Sequence, residues 1–135
     1  MSKIYINLPV SDLPKATEFY EKLGFTKNPK FCNDDASWLY WDDNLYLMLL
    51  THNFAKTVLP KHKQIADSHK TCEVFTAIQF DNKEMVDNIY KKAINAWGKE
   101  SVPVFDYWFM YGHDFEDLDG HIREPFWMNV EDMPS

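Results

Sequence analysis

Glu124 is the residue of this chain whose type and setting point most directly to chemistry. It follows the acidic turn Phe115-Glu116-Asp117-Leu118-Asp119-Gly120-His121 and sits near the start of the apolar run Ile122 to Val130. Gly120 supplies the positive φ that such a turn needs, and Asp side chains bond their own backbone. Side chains alternate faces along a strand, so Ile122, Glu124, Phe126 and Met128 share one side. A carboxylate among three apolar neighbours is costly to bury unless something pairs with it. Either Glu124 is partly exposed or bridged to a lysine, or it lines a functional pocket as an acid–base group. The three histidines His52, His62 and His69 match no metal-ligand spacing and read as parts of a solvated connector. Arg123 is the single arginine, so bidentate guanidinium clamps on carboxylate or phosphate are scarce.

Bulk properties narrow the classes. A chain of 135 residues suits one domain with a real core. The net charge of −7 argues against a nucleic-acid partner, which needs a basic face. No run is long enough to span a membrane. Met1-Ser2-Lys3 runs straight into an apolar strand, without the pattern of a secretory signal. The expectation is a cytoplasmic protein with Cys32 and Cys72 reduced, although a disulfide between them stays open.

Two similar sets of elements must position these residues. Ile4, Ile6, Leu8 and Val10 alternate with Tyr5, Asn7 and Pro9, a strand with one fully apolar side. Asp12 is a good helix cap and Pro14 falls in the first turn. Leu13, Ala16, Phe19, Tyr20 and Leu23 recur at helical spacing, and Gly24 stops the helix. Strands are predicted over Phe25–Phe31, Ala36–Trp41 and Leu45–Thr51. The last is apolar on both sides and so covered on both. The polar segment from His52 to Thr71, broken by Pro60, reads as a connector with a short helix near His62–Ser68. The pattern then returns: a strand over Glu73–Phe80, a cap at Asp81 with Glu84 three residues on, a helix stripe from Met85 to Trp97, and Gly98. Strands over Val102–Tyr107, Trp108–Gly112 and Ile122–Val130 complete it. The boundaries are module one at 1–52, a connector at 53–71 and module two at 72–135. A repeat of this length is a duplicated module rather than a solenoid unit.

Three stretches carry a family resemblance. They are Ile6-Asn7-Leu8-Pro9-Val10-Ser11-Asp12-Leu13, Phe19-Tyr20-Glu21-Lys22-Leu23-Gly24-Phe25 and the closing Phe115–Glu124 motif. With them the chain resembles the vicinal oxygen chelate superfamily of glyoxalase I, extradiol dioxygenases, fosfomycin-resistance enzymes and bleomycin-resistance proteins. Phe109-Met110-Tyr111-Gly112 and Phe126-Trp127-Met128 bring it nearest a bacterial lactoylglutathione-lyase-like subgroup, with Leu118 in place of a usual proline and His113 where arginine is common. The resemblance implies an α+β fold in which paired βαβββ modules form a cupped sheet around a central cleft. Metal-dependent members place four ligands on the cleft face. Carried over, those places hold Tyr5, Met48, Phe75 and Glu124. A phenol, a thioether and a phenyl ring do not hold Zn²⁺, Ni²⁺ or Fe²⁺, so no cofactor metal is expected. A displaced metal site would have to draw on Asn7, Glu73, His113 or His121.

The pocket that the resemblance implies is lined by Tyr5, Asn7, Tyr46, Met48, Glu73, Phe75, Tyr111, His113 and Phe126, with Glu124 as its acid. Four functions compete. The first is a small-molecule binder of the bleomycin-resistance type, its cationic aromatic ligand held by rings and carboxylates. The second is a glyoxalase I-like lyase acting on a hemithioacetal. The third is a metal-free acid–base enzyme relying on Glu124. The fourth is a structural dimer with a filled cleft. The binder ranks first and the lyase second. A homodimer is expected because closed twofold assemblies are the commonest.

Overall fold

The computed structural model describes residues 2–134, so Met1 and Ser135 lie outside the described residues. The chain divides into two compact units, with the boundary after Asp67.

Unit 1 runs β1 (Ile4–Val10), α1 (Leu13–Leu23), β2 (Thr26–Lys27), β3 (Ala36–Tyr40), β4 (Leu45–Thr51) and α2 (His52–Val58). Its sheet has the order β1-β4-β3-β2, with β1 parallel to β4 and the other pairs antiparallel. The Asp12 carboxylate accepts from the Lys15 backbone N–H at 3.0 Å and starts α1. Gly24 ends it at φ 116°, a seat that disfavours a side chain. The apolar stripe of α1 buries Phe19, Tyr20 and Leu23 against β3 and β4, over Leu39, Leu47 and Leu49. Tyr46 and Leu50 are buried on the opposite side, so β4 is covered on both faces.

Two expectations shift here. The strand predicted over Phe25–Phe31 is only Thr26–Lys27, because Pro29 opens a short 3-10 turn capped by the Asn28 side chain. The helix predicted near His62–Ser68 is instead α2, which begins at His52. The Thr51 hydroxyl caps it by accepting from the Phe54 N–H at 3.2 Å. Phe54, Ala55 and Ile65 then pack with Ala36 and Leu50.

Unit 2 runs β5 (Thr76–Gln79), α3 (Lys83–Asn95), β6 (Lys99–Glu100), β7 (Phe105–Tyr107), β8 (Met110–Gly112), β9 (Phe115–Glu116) and β10 (Ile122–Met128). β5 is parallel to β10. Both β8 and β9 pair with β10 in one unbroken register, Gly112 opposite Phe126 and Phe115 opposite Arg123. They are one strand with a break at His113-Asp114. β6 and β7 lie along the outer side of β9 and β8, separated by Ser101-Val102-Pro103-Val104, and the register steps by two residues between Glu100 opposite Phe115 and Phe105 opposite Gly112. With these pairs joined, unit 2 repeats the strand order of unit 1, and the duplicated βαβββ pattern is present in both.

Three details of the second module differ from expectation. β5 begins at Thr76, leaving Glu73, Val74 and Phe75 exposed and outside any strand. Asn82, not Asp81, caps α3; its side chain accepts from the Met85 N–H at 2.8 Å. The left-handed seat after α3 is taken by Trp97 at φ 78°, with Gly98 one residue on. The core of the unit joins Val86, Ile89 and Ala93 of α3 to Phe80, Phe115 and Pro125. Arg123 is buried on the same side, its guanidinium donating to the Ile122 carbonyl at 3.0 Å.

Candidate functional site

The acidic turn of unit 2 is a rigid mount. The Asp117 carboxylate accepts from the backbone N–H groups of Asp119 and His121, both at 2.9 Å. Gly120 has φ 85°, and a Cβ there would stand 2.7 Å from the Ser68 carbonyl oxygen and 2.8 Å from the His69 nitrogen. Only glycine fits that approach. From this mount β10 starts in fixed register, which sets the face of every side chain that follows.

Arg123 and Pro125 turn toward α3, so Glu124, Phe126 and Met128 occupy the other face. On that face Ala77 of β5 is opposite Glu124 and Gln79 is opposite Phe126. On the other flank the continuing register sets Asp114 opposite Glu124, and the His113 N–H donating to the Pro125 carbonyl at 3.2 Å holds the alignment through the strand break. Asp114 is buried, at 6% exposure. Burial, reinforced by the charge and hydrogen bond of Glu124, pushes its carboxyl up to about 6. Its Oδ1 is buried and accepts no hydrogen bond. The partner that Glu124 needs is therefore a second acid rather than a lysine.

Asp114 is not among the residues that the sequence singles out. The signal is present in the hairpin: with Glu116 opposite Ile122, counting two residues away from the turn on each strand brings 114 to 124. Reading that count requires knowing that the strand continues through the break.

Tyr111 and His113 are separated from Glu124. Both face α3. The Tyr111 hydroxyl donates to the Asp87 carboxylate at 2.5 Å. That bond is the main reason its phenol is pushed up to about 12. The Lys83 ammonium lies 5.5 Å from the Tyr111 ring centre and 5.4 Å from that of Trp127. The His113 Nε2 is 2.9 Å from a Glu100 carboxylate oxygen, and its ring stacks on Tyr90. These residues fasten α3 to the sheet. Glu73 and Phe75 are brought to neither face, since no strand holds them.

In unit 1 the side of the sheet away from α1 is aromatic. Tyr5 stacks on Tyr46 with ring centres 4.5 Å apart. Trp38, opposite Met48, lies 6.0 Å from Tyr5 and 6.1 Å from Tyr46. Phe31 packs edge-on to Trp38 at 4.2 Å. The Lys3 ammonium stands 5.5 Å from the centre of the Tyr46 ring, so this surface already seats a cation. Asn7 is exposed beside it, opposite Met48. Phe31 and Trp38 join the cluster although the sequence does not single them out.

Of the four places that the resemblance gives to metal ligands, only Glu124 carries a usual donor group. Tyr5 and Met48 are engaged in the aromatic layer and Phe75 has no donor atom. Among the described residues, no three His, Cys, Asp or Glu side chains gather in a way that could hold a metal ion.

No protein-family model and no curated protein matches the chain. Solved structures do. A hypothetical protein from S. aureus has 24% identity, with 94% of each chain covered and a TM-score of 0.77. A glyoxalase/bleomycin resistance protein/dioxygenase family enzyme from Burkholderia phytofirmans has 15% identity over 96% of this chain and 100% of its own, at 0.79. The fosfomycin resistance protein FosX from Listeria monocytogenes has 17% identity over 97% and 96%, at 0.69. The fold is that of these glyoxalase/bleomycin resistance protein/dioxygenase structures, an α+β fold as the sequence resemblance implies.

Proposed function

We propose that this chain, with its glyoxalase/bleomycin-resistance fold, binds a small cationic molecule without using a divalent metal, and does so as a cytoplasmic homodimer. The observation that carries the reading is the Asp114–Glu124 pair on the face of unit 2 shared with Phe126 and Met128. An acid pair beside large apolar side chains attracts an ammonium or amidinium group and accepts its hydrogen bonds. The stacked Tyr5–Tyr46 rings of unit 1 offer the same kind of ligand a π face.

Benzamidine and its neutral isostere benzamide test this by calorimetry. Benzamidine should bind more tightly, and Glu124→Gln should reduce its affinity at least tenfold. Its binding should also weaken as pH falls through about 6, where Asp114 takes up a proton. Equal affinity for the two probes sinks the proposal. Light scattering at micromolar concentration tests the dimer, which a monomer mass would refute.

A lactoylglutathione-lyase-type reaction on a hemithioacetal is the second reading, favoured by the pairing of the Asp114 and Glu124 carboxyls. In it Glu124 takes the proton from the carbon beside the carbonyl and the pair returns it to the neighbouring carbon. Burial of Arg123, the single arginine, weighs against it by leaving no guanidinium for glutathione's carboxylates.

A further inference from the structure

A cavity of about 300 Å³ lies in unit 1 on the side of the sheet that carries α1, between that helix, β2 and β3. Thr17 and Glu21 reach it from α1, Lys27 from β2, Ser37 from β3, and Cys32 and Asn33 from the intervening loop. It is separate from the aromatic side of the same sheet.

Counting protons shows what the lining can still bind. The Thr17 hydroxyl is 2.7 Å from the Leu13 carbonyl oxygen, which can only accept, so its one proton goes there. Thr17 Oγ1 is also 2.8 Å from Ser37 Oγ, and the proton in that bond must be the serine's. Both hydroxyls are buried, at 5% and 4% exposure, and both are left with lone pairs only. The floor of the cavity accepts hydrogen bonds and cannot donate them.

The rest of the lining is complementary. Asn33 Oδ1 accepts from the backbone N–H groups of Asp35 at 2.8 Å and Ala36 at 3.0 Å, which leaves its Nδ2 as a donor. The Cys32 thiol is committed to the loop, donating to the Asn28 carbonyl at 3.0 Å and accepting from the Trp38 N–H at 3.4 Å. Glu21 and Lys27 are exposed charges of opposite sign on one cavity, and neither forms an ion pair among the described residues.

We infer that this cavity binds a small amino-acid-like zwitterion. The ligand's ammonium group sits on the Thr17–Ser37 floor beside Glu21, and its carboxylate meets Lys27 and the Asn33 amide. Acceptors and an anion at one position, with a donor and a cation at another, suit a ligand carrying both charges and disfavour one carrying either alone. The volume is at the small end for ligand pockets, which points to a metabolite of roughly ten heavy atoms.

Three probes separate the possibilities: L-glutamine, glutaramate (the same chain without the amine) and 4-aminobutanamide (without the carboxylate). Calorimetry on the full chain should show L-glutamine binding at least tenfold more tightly than either analogue. Lys27→Met and Glu21→Gln, both at exposed positions, should each lower that affinity at least tenfold, with melting temperatures close to that of the parent. Equal binding of all three probes, an affinity indifferent to both variants, or no saturable binding at millimolar L-glutamine overturns the inference and leaves a water-filled cavity. Benzamidine binding is measured separately, so failure here does not bear on the acid pair of unit 2.

Discussion

Asp114 faces Glu124 across the two central strands of unit 2, and the buried member of the pair is the one that keeps its proton to about pH 6. The arrangement makes the pair a pH-sensitive element. A carboxyl whose pKa is raised by folding contributes stability that is complete below its unfolded value, 3.8, and is lost as pH rises through about 6. Denaturant unfolding of the parent should therefore lose stability between those pH values relative to Asp114→Asn. The difference should reach about 2–3 kcal/mol at most, since each tenfold change in proton affinity is worth about 1.4 kcal/mol. Parallel pH profiles for the two proteins would show that the pair is not coupled to folding.

Metal content is the second test. Protein purified without chelator should carry no stoichiometric Zn²⁺, Ni²⁺ or Fe²⁺ by elemental analysis, because Tyr5, Met48 and Phe75 stand where donors would be needed. Added Ni²⁺ or Zn²⁺ should not stimulate hemithioacetal isomerisation. One bound metal per chain, or metal-stimulated turnover abolished in Glu124→Gln, would put the lyase reading first.

The packing of α1 gives a prediction about stability alone. Phe19 is 2% exposed and meets Tyr20 edge-on, with ring centres 5.1 Å apart. Phe19→Ala should cost about 3–5 kcal/mol in chemical denaturation. A loss below about 1 kcal/mol would mean that the core closes around the missing ring.

Gly120 should tolerate no side chain. Its positive φ and the nearness of the Ser68 and His69 backbone both oppose a Cβ. Gly120→Ala should lower the melting temperature by several degrees, about 2–8 °C for each 1 kcal/mol lost. It should also weaken benzamidine binding, because the turn sets the register of Glu124. A thermally neutral Gly120→Ala would show that the turn can move away from residues 68 and 69.

The sequence is most legible where punctuation is local. Asp12, Pro14 and Gly24 bracket α1, and its observed bounds, Leu13–Leu23, are those of the predicted stripe. The repeat is legible for the same reason. The features that differ depend on partners distant in sequence. α2 is a short helix whose stability comes from Phe54 and Ala55 packing on the sheet, a contact no periodicity reveals. Glu73 and Phe75 alternate like strand residues, yet β10 offers pairing only from Arg123 onward, opposite Thr76. The resemblance puts Tyr111 and His113 with Glu124, while the strand's own parity turns them toward α3. Glu124 itself is legible as a residue needing a partner, and the partner's identity is a matter of hairpin register.

The gap between β6 and β7 on the outer edge of unit 2 bears on solubility. An uninterrupted edge presents a row of unpaired backbone groups to any passing chain, and flat apolar edges seed fibres. Here the edge carries Val102 and Val104, both nearly half exposed, on either side of Pro103. The proline has no N–H to offer and lies between the two strands, so two residues suited to β-stacking are kept from acting together. Exchanging Pro103 for a β-branched residue would create a run of three, and the cost would appear as aggregation during expression and refolding rather than in the chemistry of the site.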